Sequence, residues 1–309
     1  MKKKSGLVLL GILSAIAGGG FLIGNKLYDV ALVPQHHNDE ADSCAEITEG
    51  RKFVRQHPAK RDIYIDSIDH LKLHAAYIPA DKENHKYIII IHGIHASYTA
   101  GGIYAKHFLT KGISVLMPDL RGFGESEGEY AGYGVDDRFD IVEWIYWIIK
   151  RDKDAEIVLH GASMGAATAL MVSGEKLPGN VKAIISDSAY TSAVDEFKAV
   201  YAGMTGSNYF PVSIAMMLLK MEIKLRAGYD INDAQPIKAV KKSKTPILFI
   251  HGDDDNFISK KMMQKLFDAA QCPKDSCMIL GADHILGVVV DPETYYKKVD
   301  SFLAKNGIL

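Results

Sequence analysis

The sequence predicts an α/β fold in which a doubly wound, mostly parallel sheet of eight strands carries helices on both faces. Short apolar runs alternate with longer amphipathic stretches from about residue 59 to the end of the chain. Two segments of alternating polarity precede these runs. Because this kind of alternation places a sheet between layers of helices, we expect one α/β domain over residues 59–309.

The eight predicted strands fall into two groups. The first two, Asp62–Ile68 and Leu71–Ile78, alternate apolar and polar residues, as half-buried antiparallel strands do. The other six are continuous apolar runs, which are typical of strands buried on both faces of a parallel sheet. These six are Tyr87–Ile91, Ile113–Met117, Ile157–Leu159, Val181–Ile185, Ile247–Ile250 and Met278–Leu280.

Helices are predicted in the stretches between the strands. The clearest is Val135–Lys150, in which isoleucines and a tryptophan recur at helical spacing. The other predicted helices are Ala100–Thr110, Met164–Glu175, Lys260–Ala270 and Pro292–Lys305.

One connection breaks this alternation. Between Asp187 and Pro246 lie roughly sixty residues, whereas a connection in an α/β unit usually has about two to six. We interpret residues 191–233 as an inserted helical cap that is rich in Met and aromatic residues. Most of these side chains should pack the cap against the sheet. Met216 and Met217 are candidates for lining an apolar substrate pocket, since Met adapts to irregular surfaces.

The first 24 residues predict an N-terminal membrane helix. Lysines at positions 2–4 precede an uncharged run, Ser5–Gly24, that is long enough to cross a bilayer core as a helix. The lysines predict a single-pass anchor with the rest of the chain outside the cytoplasm. Alternatively, Ala15–Ala17 is a signal-peptide cleavage site and the protein is secreted. Residues 25–58 are interpreted as a juxtamembrane linker that contains a helix near residues 41–55.

Charge and cysteine content argue against several kinds of function. The net charge is −2, and basic and acidic residues are interspersed, so no basic face for nucleic acid is expected. Cys272 and Cys277 are near enough in sequence for a disulfide, which would leave Cys44 unpaired. The cysteines also lack the spacing of metal ligands, and we favour three unpaired thiols. No cofactor is predicted.

The strongest chemical signal is the segment Gly161–Gly165, which reads Gly-Ala-Ser-Met-Gly between a predicted strand and a predicted helix. This is the G-x-S-x-G nucleophile elbow, a sharp turn that lifts a serine hydroxyl out of the sheet. Ser163 is therefore the candidate nucleophile. The backbone N–H of Met164 begins the helix, where it can stabilise a developing oxyanion.

A second oxyanion donor is expected in the loop after the strand Tyr87–Ile91. His92-Gly93 begins this loop, and Gly93 lets the backbone approach a substrate closely. The candidate donor is the backbone N–H of Ile94. His92 is interpreted as a structural residue beneath the loop, and His95 either contacts substrate or lies at the surface.

An acid and a base are expected after the last two strands, in the chain order Ser, Asp, His. Three consecutive aspartates, residues 253–255, follow one strand and His284 follows the next. Catalytic groups gather at the carboxyl ends of parallel strands, so Ser163, one of these aspartates and His284 can converge. Residue patterns alone do not choose among the three aspartates. A calcium loop is disfavoured, since the Gly and Glu of an EF-hand are missing.

The chain from about Arg61 to Leu303 resembles the α/β-hydrolase superfamily. It resembles most the bacterial membrane-tethered hydrolases grouped with serine aminopeptidase-like and lysophospholipase-like members. The resemblance implies that the acid is Asp255, the aspartate of an H-G-x-x-D segment. The matching segments are Ile91–Gly93, Asp119–Ser126, Gly161–Gly165, His251–Asp255 and Ala282–His284. One departure is Asp283, because the family usually has Gly before the catalytic His.

The expected function is hydrolysis of a small-molecule ester or related acyl compound by the triad Ser163, Asp255 and His284. The same triad also serves peptidases and acyltransferases. A catalytically silent α/β-hydrolase fold used as a surface binding module is a further alternative, and the presence of all three triad residues favours an enzyme.

Overall fold

The computed structural model describes residues 21–34, 44–82, 84–205 and 211–309. Within these residues an eight-stranded sheet runs in the order β1-β2-β4-β3-β5-β6-β7-β8. β1 and β4 pair antiparallel with β2, and the other strands are parallel. The predicted α/β-hydrolase fold with its mostly parallel sheet is therefore confirmed. The strands are β1 Arg61–Asp66, β2 Lys72–Ile78, β3 Lys86–Ile91, β4 Ser114–Pro118, β5 Glu156–Ala162, β6 Val181–Asp187, β7 Ile247–Gly252 and β8 Lys274–Ile279.

The helices lie between the strands, much as the sequence predicts. The described part of the first helix, α1, covers residues 21–32. Short turns of other helix types cover Tyr98–Gly101, Ile223–Ala227 and Ile231–Asp233. The remaining helices are α2 Ala45–Gln56, α3 Gly102–Thr110, α4 Asp137–Arg151, α5 Met164–Val172, α6 Ala193–Thr205, α7 Val212–Glu222, α8 Pro236–Ala239, α9 Lys260–Ala269, α10 Gly287–Val290 and α11 Pro292–Lys305.

Two hydrophobic cores cover the two faces of the sheet. In β3, Ile89 and Ile91 belong to one core together with Trp144 of α4. Ile88 and Ile90 point the other way and belong to the second core, on the face covered by α3 and α11. Successive residues of a strand point to opposite faces, so a strand covered on both sides needs an apolar residue at every position. This explains the continuous apolar runs in the sequence.

β8 is longer than the sequence predicts. It begins at Lys274, whereas the predicted strand covered only Met278–Leu280. β8 lies at the edge of the sheet, and most of its residues are only partly buried. An edge strand tolerates polar residues, so Lys274–Ser276 did not stand out as part of an apolar run.

The two helices that precede the sheet in the chain, α1 and α2, pack onto the domain. Tyr28 and Leu32 of α1 are buried in the core that contains Trp144. α2 packs against α3, and the two helices approach so closely that a side chain at Gly50 would overlap the backbone of Gly102. The interpretation of residues 25–58 as a linker is therefore corrected for these two helices. The short apolar stripe of α1 follows helical spacing, which buries one side against the domain.

The predicted membrane anchor falls largely outside the described residues. Of residues 1–24, only 21–24 are described, and they belong to α1. Among the residues that the structure describes, no helix is both long enough and apolar enough to span a bilayer. The anchor and the extracytoplasmic location stay predictions.

Helices occupy the interval interpreted as a cap. α6 and α7 follow β6 and lie within residues 191–233. Both helices contribute to the core, with Ala193, Ala215 and Leu219 fully or almost fully buried. The cap begins beyond the carboxyl end of β6, so it lies beside the carboxyl end of its neighbour β5, where the elbow begins.

Candidate active site

Ser163 lies in a strained turn between β5 and α5. Its backbone has φ 55° and ψ −120°, which side-chain-bearing residues rarely adopt. A side chain at position 161 would overlap the carbonyl of Gly165, and one at position 165 would overlap the carbonyl of Ile91. Both glycines of the elbow are therefore required by close backbone approach. The turn leaves the Ser163 hydroxyl at the carboxyl end of the sheet.

The three predicted triad residues lie in one hydrogen-bonded chain. His284 Nε2 is 2.8 Å from Ser163 Oγ, and His284 Nδ1 is 2.8 Å from Asp255 Oδ2. Ser163 follows β5, Asp255 follows β7 and His284 follows β8. Parallel strands bring these loops to one edge of the sheet, although the residues are far apart in sequence. The distances suit transfer of a proton from the hydroxyl to the imidazole.

Asp255 is held as a carboxylate. Its Oδ1 accepts the backbone N–H groups of Phe257 at 3.0 Å and Ile258 at 2.7 Å. Burial alone would raise the pKa of Asp255, but hydrogen bonds from His251, His284 and Ile258 hold it well below its usual range. The group is therefore ionised at neutral pH and can stabilise a positively charged His284.

His251 contacts the Asp255 carboxylate and helps to orient it, a role that the sequence analysis did not predict. Its Nε2–H donates to the Ile258 carbonyl at 2.8 Å and lies 3.2 Å from Asp255 Oδ2. Burial alone would lower the pKa of His251, but its hydrogen bonds to Asp255 and Ile258 raise it overall. The H-G-x-x-D segment thus carries both the acid and a residue that orients it.

The neighbouring aspartates have other contacts. Asp253 Oδ1 accepts the Gly281 N–H at 2.6 Å, and the backbone N–H of Asp254 donates to the Ala282 carbonyl at 3.1 Å. Asp283 Oδ1 accepts the backbone N–H of His284 at 2.8 Å. Of the three consecutive aspartates, Asp255 is the one whose carboxylate bonds the His284 ring. The Asp283 carboxylate therefore stabilises this loop by accepting a backbone N–H group.

His92 orients the peptide that contains the Ile94 N–H. The Leu120 N–H donates to His92 Nε2 at 2.9 Å, so the ring proton is assigned to Nδ1, which donates to the Gly93 carbonyl at 2.7 Å. In a trans peptide the C=O and N–H point in opposite directions. Fixing the Gly93 carbonyl therefore turns the Ile94 N–H away from the His92 ring. Gly93 itself lies against Ser163, since a Cβ there would be 3.3 Å from the Ser163 Cβ.

Two cavities meet at Ser163. The first, here named the His284 cavity, has a volume of about 440 Å³ and is lined by His284, Ile285 and Tyr104 among others. The second, the Met164 cavity, has a volume of about 290 Å³. Ser163 and Ile94 line both. The remaining lining of the Met164 cavity is mostly apolar and comes largely from α1, α6 and α7.

The two methionines named from the sequence differ in the structure. Met216 is 5% exposed and lines the Met164 cavity, whereas Met217 is 53% exposed. Consecutive residues of a helix point about 100° apart, and in α7 this turns Met216 toward the cavity and leaves Met217 exposed outside its lining. The prediction that Met217 lines the pocket is therefore wrong. Instead, Leu219 lines the cavity from the same helix.

A buried carboxyl group in the Met164 cavity is the main feature that the sequence analysis missed. Glu196 of α6 is 5% exposed, and neither of its carboxyl oxygens has a hydrogen-bond partner among the described residues. Burial and, secondarily, the charge of Asp255 raise the pKa of Glu196 to about 7. The sequence holds a signal: Glu196 falls at helical spacing with Ala193, Phe197 and Val200, on the apolar face of α6.

Comparison with known proteins identifies the fold of this chain. A family model described as the alpha/beta hydrolase fold matches residues 86–229, which include the elbow and the loop of Ile94. This match and the sheet topology together show that the chain has the alpha/beta hydrolase fold. The match ends before Asp255 and His284, so the positions of these two residues rest on the described structure.

Relatives of this α/β-hydrolase chain occur in bacteria and plants. It is 28% identical to the uncharacterized protein YqkD of Bacillus subtilis over 217 residues, which is 70% of each chain. It is 23% identical to the alpha/beta hydrolase domain-containing protein WAV2 of Arabidopsis thaliana, over 79% of this chain and 78% of that protein.

Solved structures share the fold at lower identity. The Pyrococcus furiosus esterase Pf2001 matches with a TM-score of 0.63 and 22% identity, over 80% of this chain and 90% of that chain. The esterase EaEST of Exiguobacterium antarcticum matches with a TM-score of 0.57 and 16% identity, over 79% of this chain and 100% of that chain. Likeness at this level establishes the α/β-hydrolase fold.

Proposed function

We propose that this α/β hydrolase is a serine hydrolase that cleaves an ester or related acyl compound through an acyl-enzyme intermediate. The observation that supports it is the chain of two 2.8 Å contacts from Ser163 through His284 to Asp255. The strained elbow and the depressed pKa of Asp255 fit the same role, since a nucleophilic serine needs an oriented base. The esterases among the similar folds are consistent with this proposal.

In the proposed reaction, Ser163 Oγ bonds to the substrate carbonyl carbon while its proton passes to His284 Nε2. The resulting oxyanion accepts the N–H groups of Ile94 and Met164, and Asp255 stabilises the imidazolium. The tetrahedral intermediate collapses by breaking the bond to the leaving group, which takes the proton from His284. Water then loses a proton to His284 and attacks the acyl-enzyme, which releases the acid and regenerates Ser163.

The two cavities support a proposed placement of the two halves of the substrate. The leaving group must lie within reach of His284, because that residue gives it a proton. The His284 cavity is therefore proposed for the leaving group, and the Met164 cavity for the acyl group. Apolar side chains dominate the Met164 cavity, and its volume of about 290 Å³ suits a short or medium acyl chain.

The test of this proposal compares esters with amides. We expect p-nitrophenyl esters of short to medium acyl chains to be cleaved faster than p-nitroanilides of single amino acids, because the proposed reaction is ester cleavage and p-nitrophenolate is a better leaving group than p-nitroaniline. The measurement is kcat/KM for both series with one enzyme preparation. High activity on the anilides with negligible ester cleavage would contradict the proposal and favour a peptidase.

Met216 is expected to set the acyl-chain preference. Met216→Ala enlarges the Met164 cavity, so kcat/KM should shift toward longer chains by about tenfold relative to short chains. Met217→Ala is the matched control, since Met217 is the next residue of the same helix and its side chain is exposed. The measurement is kcat/KM over a series of straight-chain esters. A larger shift from Met217→Ala than from Met216→Ala would show that the cavity does not hold the acyl group.

A further inference from the structure

The buried carboxyl group of Glu196 lies in the cavity that the proposed function assigns to the acyl group. Glu196 shares this cavity with Ser163 and Met164, and apolar side chains of Phe197 and Leu219 surround it. Among the described residues neither carboxyl oxygen accepts a hydrogen bond. A buried polar group without a partner costs free energy, and native proteins seldom keep one without a reason. Among the described residues, no donor lies within hydrogen-bond distance of the Glu196 carboxyl group.

We propose that Glu196 recognises a protonated amine on the acyl half of the substrate, so that the enzyme hydrolyses esters of amino-substituted acids. The inference rests on the proposed function, since it places the acyl group in the Met164 cavity. An ammonium group offers up to three donors and a charge opposite to that of the carboxylate. It would satisfy both oxygens of Glu196 while the methylene groups of the acyl chain contact the apolar walls.

A cation is a better fit than a neutral donor. The elevated pKa of Glu196 has burial as its main cause and the Asp255 carboxylate as its second. Both causes disfavour an isolated carboxylate, and a paired ammonium ion offsets them by its opposite charge. The other titratable side chains lining this cavity are those of His95, Tyr133, Tyr190 and Tyr201. Within the described lining, Glu196 is the group that supplies an acidic charge.

Matched substrates test the proposal. In p-nitrophenyl 6-aminohexanoate an ammonium group replaces the terminal methyl of p-nitrophenyl heptanoate, so the two esters have similar length. We expect wild-type kcat/KM to favour the amino ester, and Glu196→Gln to lower the ratio of the two values by about ten- to a hundredfold, the effect of losing a charge-assisted hydrogen bond. Glu196→Leu should lower it at least as far.

The ratio also gives a pH signature that a purely structural residue would not produce. Both esters use the same triad, so effects common to the two esters cancel in the ratio. The wild-type ratio should rise as the pH passes upward through about 7, where Glu196 ionises, and it should stay flat in Glu196→Gln. A wild-type ratio of one or less, or a ratio that Glu196→Gln leaves unchanged, would overturn the inference.

A stability measurement checks that the variants are folded. The pKa of Glu196 is higher in the folded protein than in the unfolded chain. The group therefore destabilises the fold increasingly as the pH rises from the ordinary pKa of a glutamate to about 7. Glu196→Leu should therefore raise the thermal midpoint at pH 8, and a lower midpoint there would contradict an unpartnered carboxylate.

Reaction with a fluorophosphonate separates the amine-recognition inference from the proposed serine-hydrolase function. If the wild-type enzyme is labelled and cleaves the heptanoate ester but does not prefer the amino ester, only the inference about Glu196 is overturned. If the enzyme is neither labelled nor active on any ester, the proposed function is overturned as well.

Discussion

Replacing Ser163 with Ala is expected to lower kcat for ester hydrolysis on the order of 10⁶-fold, as loss of a triad nucleophile does. The variant keeps the backbone of the elbow but removes the oxygen that lies 2.8 Å from His284 Nε2. No bond to the substrate carbonyl carbon can then form at this position. The measurement is the steady-state rate on the best ester of the series. Residual activity close to wild type would end the serine-hydrolase proposal.

The control for Ser163→Ala is a second serine in the same region. Ser188 lies just beyond β6, is buried, and donates to Asp187 at 3.1 Å. Ser188→Ala tests whether loss of any buried hydroxyl near the sheet edge disturbs the site. We expect Ser188→Ala to lower kcat by far less than Ser163→Ala. Comparable losses in the two variants would indicate a general structural effect.

Asp255→Asn is expected to lower kcat about 10⁴-fold. The amide oxygen can still accept the N–H groups of Phe257 and Ile258, which leaves the NH₂ group facing His284 Nδ1. An NH₂ donor there requires His284 Nδ1 to be the acceptor, so the ring proton moves to Nε2. In that tautomer His284 cannot take the proton of Ser163. Steady-state kinetics, with thermal unfolding to verify the fold, measures the effect.

The adjacent aspartates supply matched controls for Asp255→Asn. Asp253 and Asp254 lie in the same loop and have the same side chain, but the Asp253 carboxylate accepts the Gly281 N–H, and the backbone N–H of Asp254 donates to the Ala282 carbonyl. Asp253→Asn and Asp254→Asn should each lower kcat by less than about tenfold, which is below the cost of a wrong tautomer. If either variant proves more damaging than Asp255→Asn, the acid of the site has been assigned to the wrong residue.

The sequence predicted the sheet well because its central strands are buried on both faces. Burial on both faces requires an apolar residue at every position, which makes β3 and β7 visible as continuous runs. β8 was predicted too short, since an edge strand has no such requirement. The packing of α1 was not predicted either. Its apolar stripe is too short to distinguish a docked helix from the end of a membrane segment.

Candidate site residues were predictable where a motif fixes the backbone. The elbow around Ser163 is one case, because Gly161 and Gly165 are demanded by close approach. The choice of Asp255 among three aspartates came from resemblance, and the physical reason is visible only in the loop that turns it toward His284. Glu196 was missed, because a glutamate in the first turn of a helix usually interacts with the helix dipole at the surface. Its helical spacing with Ala193 and Phe197 is a local signal, but its burial also depends on how the cap packs.

Mass spectrometry of the protein after reaction with a fluorophosphonate tests the central claim most directly. Such a reagent bonds covalently to an activated serine and traps it, so peptide mapping identifies the nucleophile independently of any substrate. The account predicts a single phosphonyl group on Ser163 that is absent from Ser163→Ala and forms far more slowly in His284→Ala. A label on another residue, or an enzyme that hydrolyses esters without being labelled at Ser163, would contradict it.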